Sequence, residues 1–221
     1  VTAYFVTGTD TGVGKTFVSA ALLRRARERG LRTFGFKPIE TGCDGPLGAD
    51  QLELCEAAGG WQSGRLAGVY RLRAPIAPRA AAELEAISID LDLVVSTFRE
   101  TAETVDFSVL EGAGGWRVPL VGDAGISTLA AKIGAPIVVV ARAGLGTINH
   151  SLLTIEAVER DGCSVAALVL SCRPEDDLDF ARRNASDIAR RWPGSVLVLD
   201  RGAGIESLVP REKVPAGTIS V

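Results

Sequence analysis

The chain has 221 residues, with 24 Lys and Arg against 27 Asp and Glu, a formal net charge of −3. Hydrophobic residues make up 47% and charged residues 23%, an ordinary globular mix that excludes a disordered chain, a coiled coil and a collagen-like repeat. The mild acidity argues against a protein that coats nucleic acid, and no apolar run approaches the ~18 residues of a membrane-spanning helix.

The first apolar run, Ala3 to Val6, ends at Thr7-Gly8 and reads as a buried strand entering a glycine-rich turn. Over 16–29, Phe17, Ala20, Ala21, Leu23 and Ala26 fall on one side and Arg24, Arg25, Arg27 and Glu28 on the other. That spacing predicts an amphipathic helix stopped by Gly30. A second strand at 33–36 is closed by Lys37-Pro38, completing a parallel strand–helix–strand unit. The stretch 42–78 is less regular, with a short helix at 50–58 and a loop over 59–78. A helix over 90–105, capped by Asp90, leads to a third strand at 107–110 that runs into Glu111-Gly112-Ala113-Gly114-Gly115. A short helix at 127–133 precedes the strand 136–141, apolar throughout and therefore buried on both faces. Helix 149–160, strand 165–170, helix 178–191 and strand 196–199 complete the pattern, before a polar tail. With 25 glycines and 5% aromatics, this order predicts one α/β domain over residues 1–221. Its core is a doubly wound, mostly parallel sheet with helices on both faces.

Between the first strand and first helix lies Gly8-Thr9-Asp10-Thr11-Gly12-Val13-Gly14-Lys15-Thr16, the context in which a P-loop operates. Its glycines let backbone N–H groups turn toward phosphate oxygens, and the helix that follows adds its positive end. Lys15 supplies a charge for the outer phosphates and Thr16 a hydroxyl for Mg²⁺. Residues Gly12 to Phe17 are the expected nucleotide contacts. Position 9 is Thr where the common pattern has its first glycine, so the loop is one residue longer than usual. The fold expectation is accordingly P-loop NTPase-like.

A P-loop threonine gives Mg²⁺ only one protein ligand, and carboxylates usually supply the rest. Glu111 ends the third strand at the carboxyl edge of the sheet, where a salt-bridge partner and a metal ligand both fit. The small residues Gly112, Ala113 and Gly114 leave room for a phosphate beside the backbone. Asp50 opens a short helix, where an N-cap and a metal ligand are both compatible with the spacing. Lys37 is either a solvated strand-end charge or a stabiliser of negative charge near the γ-phosphate, with Thr41 on the same loop. Gly144 to His150 joins a buried strand to a helix start near Asn149, which is a natural anion site. His150 reads as a surface or interface histidine without chemistry.

Together, these residues resemble the dethiobiotin synthetases, ATP-dependent enzymes of biotin synthesis. The resemblance rests on the lengthened loop 8–16, Lys37-Pro38 with Thr41-Gly42, Asp50, Glu111 to Gly115, and Gly144 to His150, in order over residues 1 to about 170. It implies carboxylation of 7,8-diaminononanoate by CO₂ and ring closure through a carbamate and a carbamic-phosphoric anhydride, giving dethiobiotin, ADP and phosphate. It assigns Lys15 and Lys37 to the carbamate and γ-phosphate oxygens, and Thr16, Asp50 and Glu111 to Mg²⁺. Thr11 and Thr41 would line the diamine site. Leu145, Gly146, Thr147 and Asn149 would receive the distal carboxylate in a site completed by the second subunit of a homodimer. No side-chain nucleophile is required, because the substrate brings both amines.

Two departures stand out. Family members often place Asn-Asp after the fifth strand to read adenine, whereas here Ser171 is followed by Cys172. A thiol cannot imitate an amide that both donates and accepts. The sequence therefore predicts loose base selection, with the base held by backbone near Ser171 and by a loop at 200–202. Gly12 also stands where relatives often carry an acid. Competing readings are a dimeric partitioning or regulatory ATPase switch, an amide-forming ligase of cofactor synthesis, and a non-catalytic nucleotide-binding module. The first usually has a second lysine early in the loop, absent at positions 9–13, and the second needs a glutaminase domain for which the chain has no room. The four cysteines, at 43, 55, 163 and 172, lack zinc spacing and read as free thiols of a cytoplasmic protein.

Overall fold

The computed structural model describes residues 2–200 and 203–211. The first strand, β1 (Thr2–Gly8), enters the phosphate loop, and α1 (Lys15–Glu28) follows. Next come β2 (Thr33–Phe36), β3 (Ile39–Thr41), α2 (Ala49–Ala57), β4 (Tyr70–Leu72) and α3 (Pro78–Leu84). The chain continues through α4 (Leu91–Ala102), β5 (Phe107–Gly115), β6 (Pro119–Val121), β7 (Ala124–Gly125) and α5 (Ile126–Ile133). It ends with β8 (Ile137–Arg142), α6 (Thr147–Arg160), β9 (Val165–Ser171), α7 (Leu178–Ala189) and β10 (Val196–Leu199).

Six strands form one parallel sheet in the order β10-β9-β8-β1-β5-β2. From β1 the chain crosses by α1 to β2, beyond β5. From β5 it returns by α5 to β8, on the other side of β1. The reversal leaves a crevice at the carboxyl ends of β1 and β5, the topological switch point of a doubly wound sheet.

Burial on both faces explains why β8 is apolar from Ile137 to Ala141, while Arg142 at its end is exposed. Ile137, Val139 and Ala141 join Phe5, Leu110, Leu168 and Leu170 in one core layer, closed by residues of α4, α5 and α6. Val138 and Val140 join Val6, Val109 and Val169 in the other, closed by Val18, Leu22 and Leu23 of α1 and Leu54 of α2. Alternate side chains of each strand thus serve opposite layers.

The expected helices and strands are present with shifted ends, and three differences matter for the crevice. The loop expected over 59–78 contains β4, which pairs in parallel with β3 (Ile39 opposite Tyr70, Thr41 opposite Leu72). Strands of three residues are too short to show a period in sequence. The third strand does not end at 110, because β5 continues to Gly115 and places Glu111 level with Val6. The helix expected from 149 begins at Thr147, with Gly146 as its left-handed N-cap at φ 91°.

Candidate active site

Gly14 turns the phosphate loop into α1. Its φ of 95° is left-handed, and a Cβ there would lie 2.4 Å from Ser171 Oγ, so both conformation and space require glycine. Lys15 is folded back over the loop, its Nζ donating to the Asp10 carbonyl at 2.9 Å. Burial and the neighbouring Lys37 ammonium pull its pKa down to about 8, against the attraction of Glu111, Asp50 and Asp10.

Lys37 emerges just beyond β2, which is hydrogen-bonded to β5, the strand of Glu111. Its Nζ lies 2.7 Å from Glu111 Oε1, 2.9 Å from Asp50 Oδ2 and 3.2 Å from the Gly112 carbonyl oxygen. Burial alone would favour the neutral amine. The two carboxylates outweigh it and hold Lys37 above the ordinary lysine range. Asp50 is held below the ordinary carboxylate range: burial opposes this, and the Lys37 charge outweighs it. Lys37 is thus a buried, paired cation, not a solvated strand-end charge.

Thr16 Oγ1 donates to Glu111 Oε1 at 2.9 Å. Glu111 is fully buried, and its other oxygen, Oε2, has no hydrogen-bond partner. A buried carboxylate oxygen without a donor is costly unless a cation or water reaches it. A hydroxyl and two carboxylates around one point, one oxygen still open, suit Mg²⁺ completed by phosphates and water. Among the described residues no group of three or more His, Cys, Asp or Glu side chains is placed to hold a metal ion by itself.

A cavity of about 810 Å³ opens over this cluster. Thr11, Gly12, Gly14, Lys15 and Thr16 line one side, Lys37, Thr41 and Asp50 another, and Ala113 and Gly114 a third. A second cavity, of about 400 Å³, adjoins the loop, and Gly12, Val13, Gly14, Phe17, Ser171 and Cys172 line it. Gly112 contributes its carbonyl to Lys37. Leu145 lines a separate space with Arg142 and Arg173 and is 88% exposed. Thr147 is buried, its hydroxyl 3.4 Å from that of Ser151. The segment Leu145 to Asn149 therefore lies outside the main cavity of this chain. Of the loop expected at 200–202, Arg201 and Gly202 lie outside the described residues.

Sequence reasoning missed Glu40, Arg142 and Arg173. Glu40 lines the main cavity, and its signal is only its place three residues after Lys37. Arg142 and Arg173 line the second cavity, and Arg173 also donates to the Gly12 carbonyl at 3.4 Å. The Cys172 thiol is buried, which pushes its pKa up and keeps it a neutral, weak hydrogen-bonding group.

The phosphate loop, the buried lysine pair and the doubly wound sheet define a nucleotide-binding α/β protein of the P-loop class. Residues 2–199 match the AAA domain family. MinD from Aquifex aeolicus superposes with a TM-score of 0.55, at 12% identity over 90% of this chain and 81% of that one. The signal recognition particle receptor FtsY from Elizabethkingia anophelis gives 0.54, at 16% identity over 91% of this chain and 60% of that one. At such identities the likeness is of fold alone. Closer in sequence are ATP-dependent dethiobiotin synthetases BioD. The one from Anaeromyxobacter dehalogenans is 47% identical over 84% of this chain and 83% of its own length. The one from Cellvibrio japonicus is 38% identical over 88% of this chain and 87% of its own. The chain belongs to the ATP-dependent dethiobiotin synthetase family.

Proposed function

We propose that this chain joins CO₂ to 7,8-diaminononanoate and closes the ureido ring at the expense of ATP, with Mg²⁺ as cofactor. The observation that carries this reading is a single cavity holding a phosphate loop and two buried lysines, Lys15 and Lys37. Among the described residues neither cysteine nor histidine lines it, which suits a reaction whose substrate supplies both nucleophiles.

In the proposed sequence, one neutral amine adds to the carbon of CO₂, and the released proton passes to solvent, leaving a carbamate. A carbamate oxygen then attacks the γ-phosphorus, the bond to the β-phosphate oxygen breaks, and ADP departs. The second amine attacks the carbonyl carbon of the mixed anhydride, loses a proton and expels phosphate. Lys15 meets the outer phosphates, and Lys37 meets the charge shared by carbamate and γ-phosphate oxygens. Thr16, Asp50 and Glu111 would hold Mg²⁺, which supplies neutralisation of phosphate charge. Thr11 and Thr41 would face the diamine. Leu145 is 88% exposed, an apolar side chain open to cover by a second copy of the chain, and with it Gly146, Thr147 and Asn149 at the start of α6 would receive the distal carboxylate. The same reading places the enzyme in the cytoplasm as a homodimer; no helix among the described residues is long and apolar enough to cross a membrane.

Protein supplied with Mg²⁺, ATP and bicarbonate is expected to release phosphate only when the diamine is added, with dethiobiotin appearing in equal amount by mass spectrometry. Phosphate release indifferent to the diamine would instead favour a nucleotide switch.

Base selection follows from the second cavity. Among the described residues, neither a side-chain amide nor a carboxylate lines it, and its charged groups, Arg142 and Arg173, only donate. The adenine amino group therefore finds little that distinguishes it. In competition assays CTP and GTP are expected to replace ATP with kcat/KM within about tenfold, far from the discrimination of a site built to pair with one base. Rejection of both would refute loose reading.

A further inference from the structure

Gly48, the N-cap before α2, has no side chain to cap it, so the first N–H groups of that helix need acceptors from elsewhere. Glu40, on β3, provides them. Its Oε1 accepts from the Asp50 backbone N–H at 3.0 Å and its Oε2 from that of Gln51 at 2.8 Å. We propose that Glu40 is a positioning residue, binding the segment that carries Lys37 to the helical turn that carries Asp50. The inference rests on the Mg²⁺-dependent reading above, in which Asp50 and Lys37 act together.

Lys37, Pro38 and β3 are one continuous stretch, and Asp50 and Gln51 form the first turn of α2. Besides the Lys37–Asp50 ion pair, three bonds join the two: the pair accepted by Glu40, and one from Gln51 Nε2 to the Lys37 carbonyl at 3.1 Å. Gln51 is fully buried. Its Oε1 accepts from the Gly48 N–H at 3.3 Å, and its Nε2 also donates to the Tyr70 carbonyl of β4 at 3.2 Å. The turn bearing Asp50 is thereby fixed to both strands of the small sheet.

The local chain is shaped around the Glu40 carboxylate. A Cβ on Gly48 would lie between 2.1 and 2.4 Å from its atoms, so only glycine leaves space for it. Glu40 is 8% exposed, and burying a carboxylate is unfavourable unless its oxygens are bonded. Two convergent N–H groups and the positive end of α2 offset part of that cost, and burial still holds the Glu40 carboxyl above the ordinary carboxylate range. A serine or aspartate at position 48 would cap the helix more simply. Only an acid reaching over from β3 also sets the distance between Asp50 and Lys37. The geometry requires a carboxylate, since each oxygen takes one N–H, whereas the amide of glutamine turns a donor toward one of them.

The test measures the cation directly. Mn²⁺ replaces Mg²⁺, and its binding to the protein–ADP complex is followed by electron paramagnetic resonance for wild type, Glu40→Gln, Glu40→Ala and Glu40→Ala/Gly48→Asp. The double variant gives α2 a cap of its own. The expected result is unchanged ADP affinity in EDTA and a Kd for Mn²⁺ raised about tenfold or more in all three variants, the usual effect of losing a group that orients a metal ligand. The double variant is expected to regain the wild-type Tm but not the Mn²⁺ affinity. With the diamine reaction as readout, kcat falls while KM for the diamine stays constant. Wild-type Mn²⁺ affinity in Glu40→Ala or Glu40→Gln, or its full recovery in the double variant, would overturn the proposal. If Glu40→Ala does not fold, the other two variants decide. Absence of diamine-dependent phosphate release in the wild type would count against the proposed reaction, whereas the Mn²⁺ titration judges Glu40 alone.

Discussion

Lys37→Gln is expected to bind ADP like the wild type and to lose about 10²–10³-fold in kcat, the range seen when one preorganised donor to a developing charge is removed. The phosphate loop is complete without Lys37, because Gly12 and Gly14 lie between β1 and α1 and Lys15 opens α1, and so ground-state nucleotide affinity survives. What is lost is a buried ammonium that Glu111 and Asp50 keep protonated against the pull of burial. An amide keeps much of the side chain's length but carries no charge to match the carbamate and phosphate oxygens of the proposed reaction as charge moves between them. Calorimetric ADP titration alongside steady-state phosphate release separates the two effects. Near-normal kcat would remove Lys37 from the chemistry.

The second expectation concerns stability. Lys37→Met is expected to destabilise the ligand-free fold by about 3 kcal/mol, as urea unfolding would report, because it breaks a buried ion pair from one side only. Glu111 is fully buried and would keep a single donor, Thr16, for its charge. The figure is at the low end of the range for such pairs because the Asp50 side chain is 39% exposed and solvent screens its share. Adding Glu111→Gln to Lys37→Met is expected to recover most of the loss, since the unmatched carboxylate is gone. If the double variant were less stable than Lys37→Met, the buried charge would not be the source of the cost.

Much of the site was legible as local grammar. Gly14-Lys15-Thr16 between a strand and a helix can be read without a structure, because the nine-residue loop and its helix are contiguous and their geometry is set by neighbouring dihedrals. Asp50 and Glu111 were readable as acids near the right edge. Whether each was a cap, a salt-bridge partner or a ligand was not, because that depends on what β2 places opposite them. Asp50 does not cap α2 at all: Glu40 does, from ten residues away in sequence. Glu40 escaped notice because an isolated acid on a three-residue strand has no periodic signature, and β4, which completes its sheet, resembles loop.

By itself the amino-acid order determined the alternation of strand and helix, the burial of β8 on both faces and the location of the phosphate loop. These follow from hydrophobic spacing and from glycine conformations local to a few residues. Only the tertiary structure decided that Lys37, Asp50 and Glu111 form one charge cluster, and that Leu145 to Asn149 lies away from the main cavity. Charge pairing acts through space over distances that sequence separation does not encode, and it is the packing of β2, β5 and α2 that sets them.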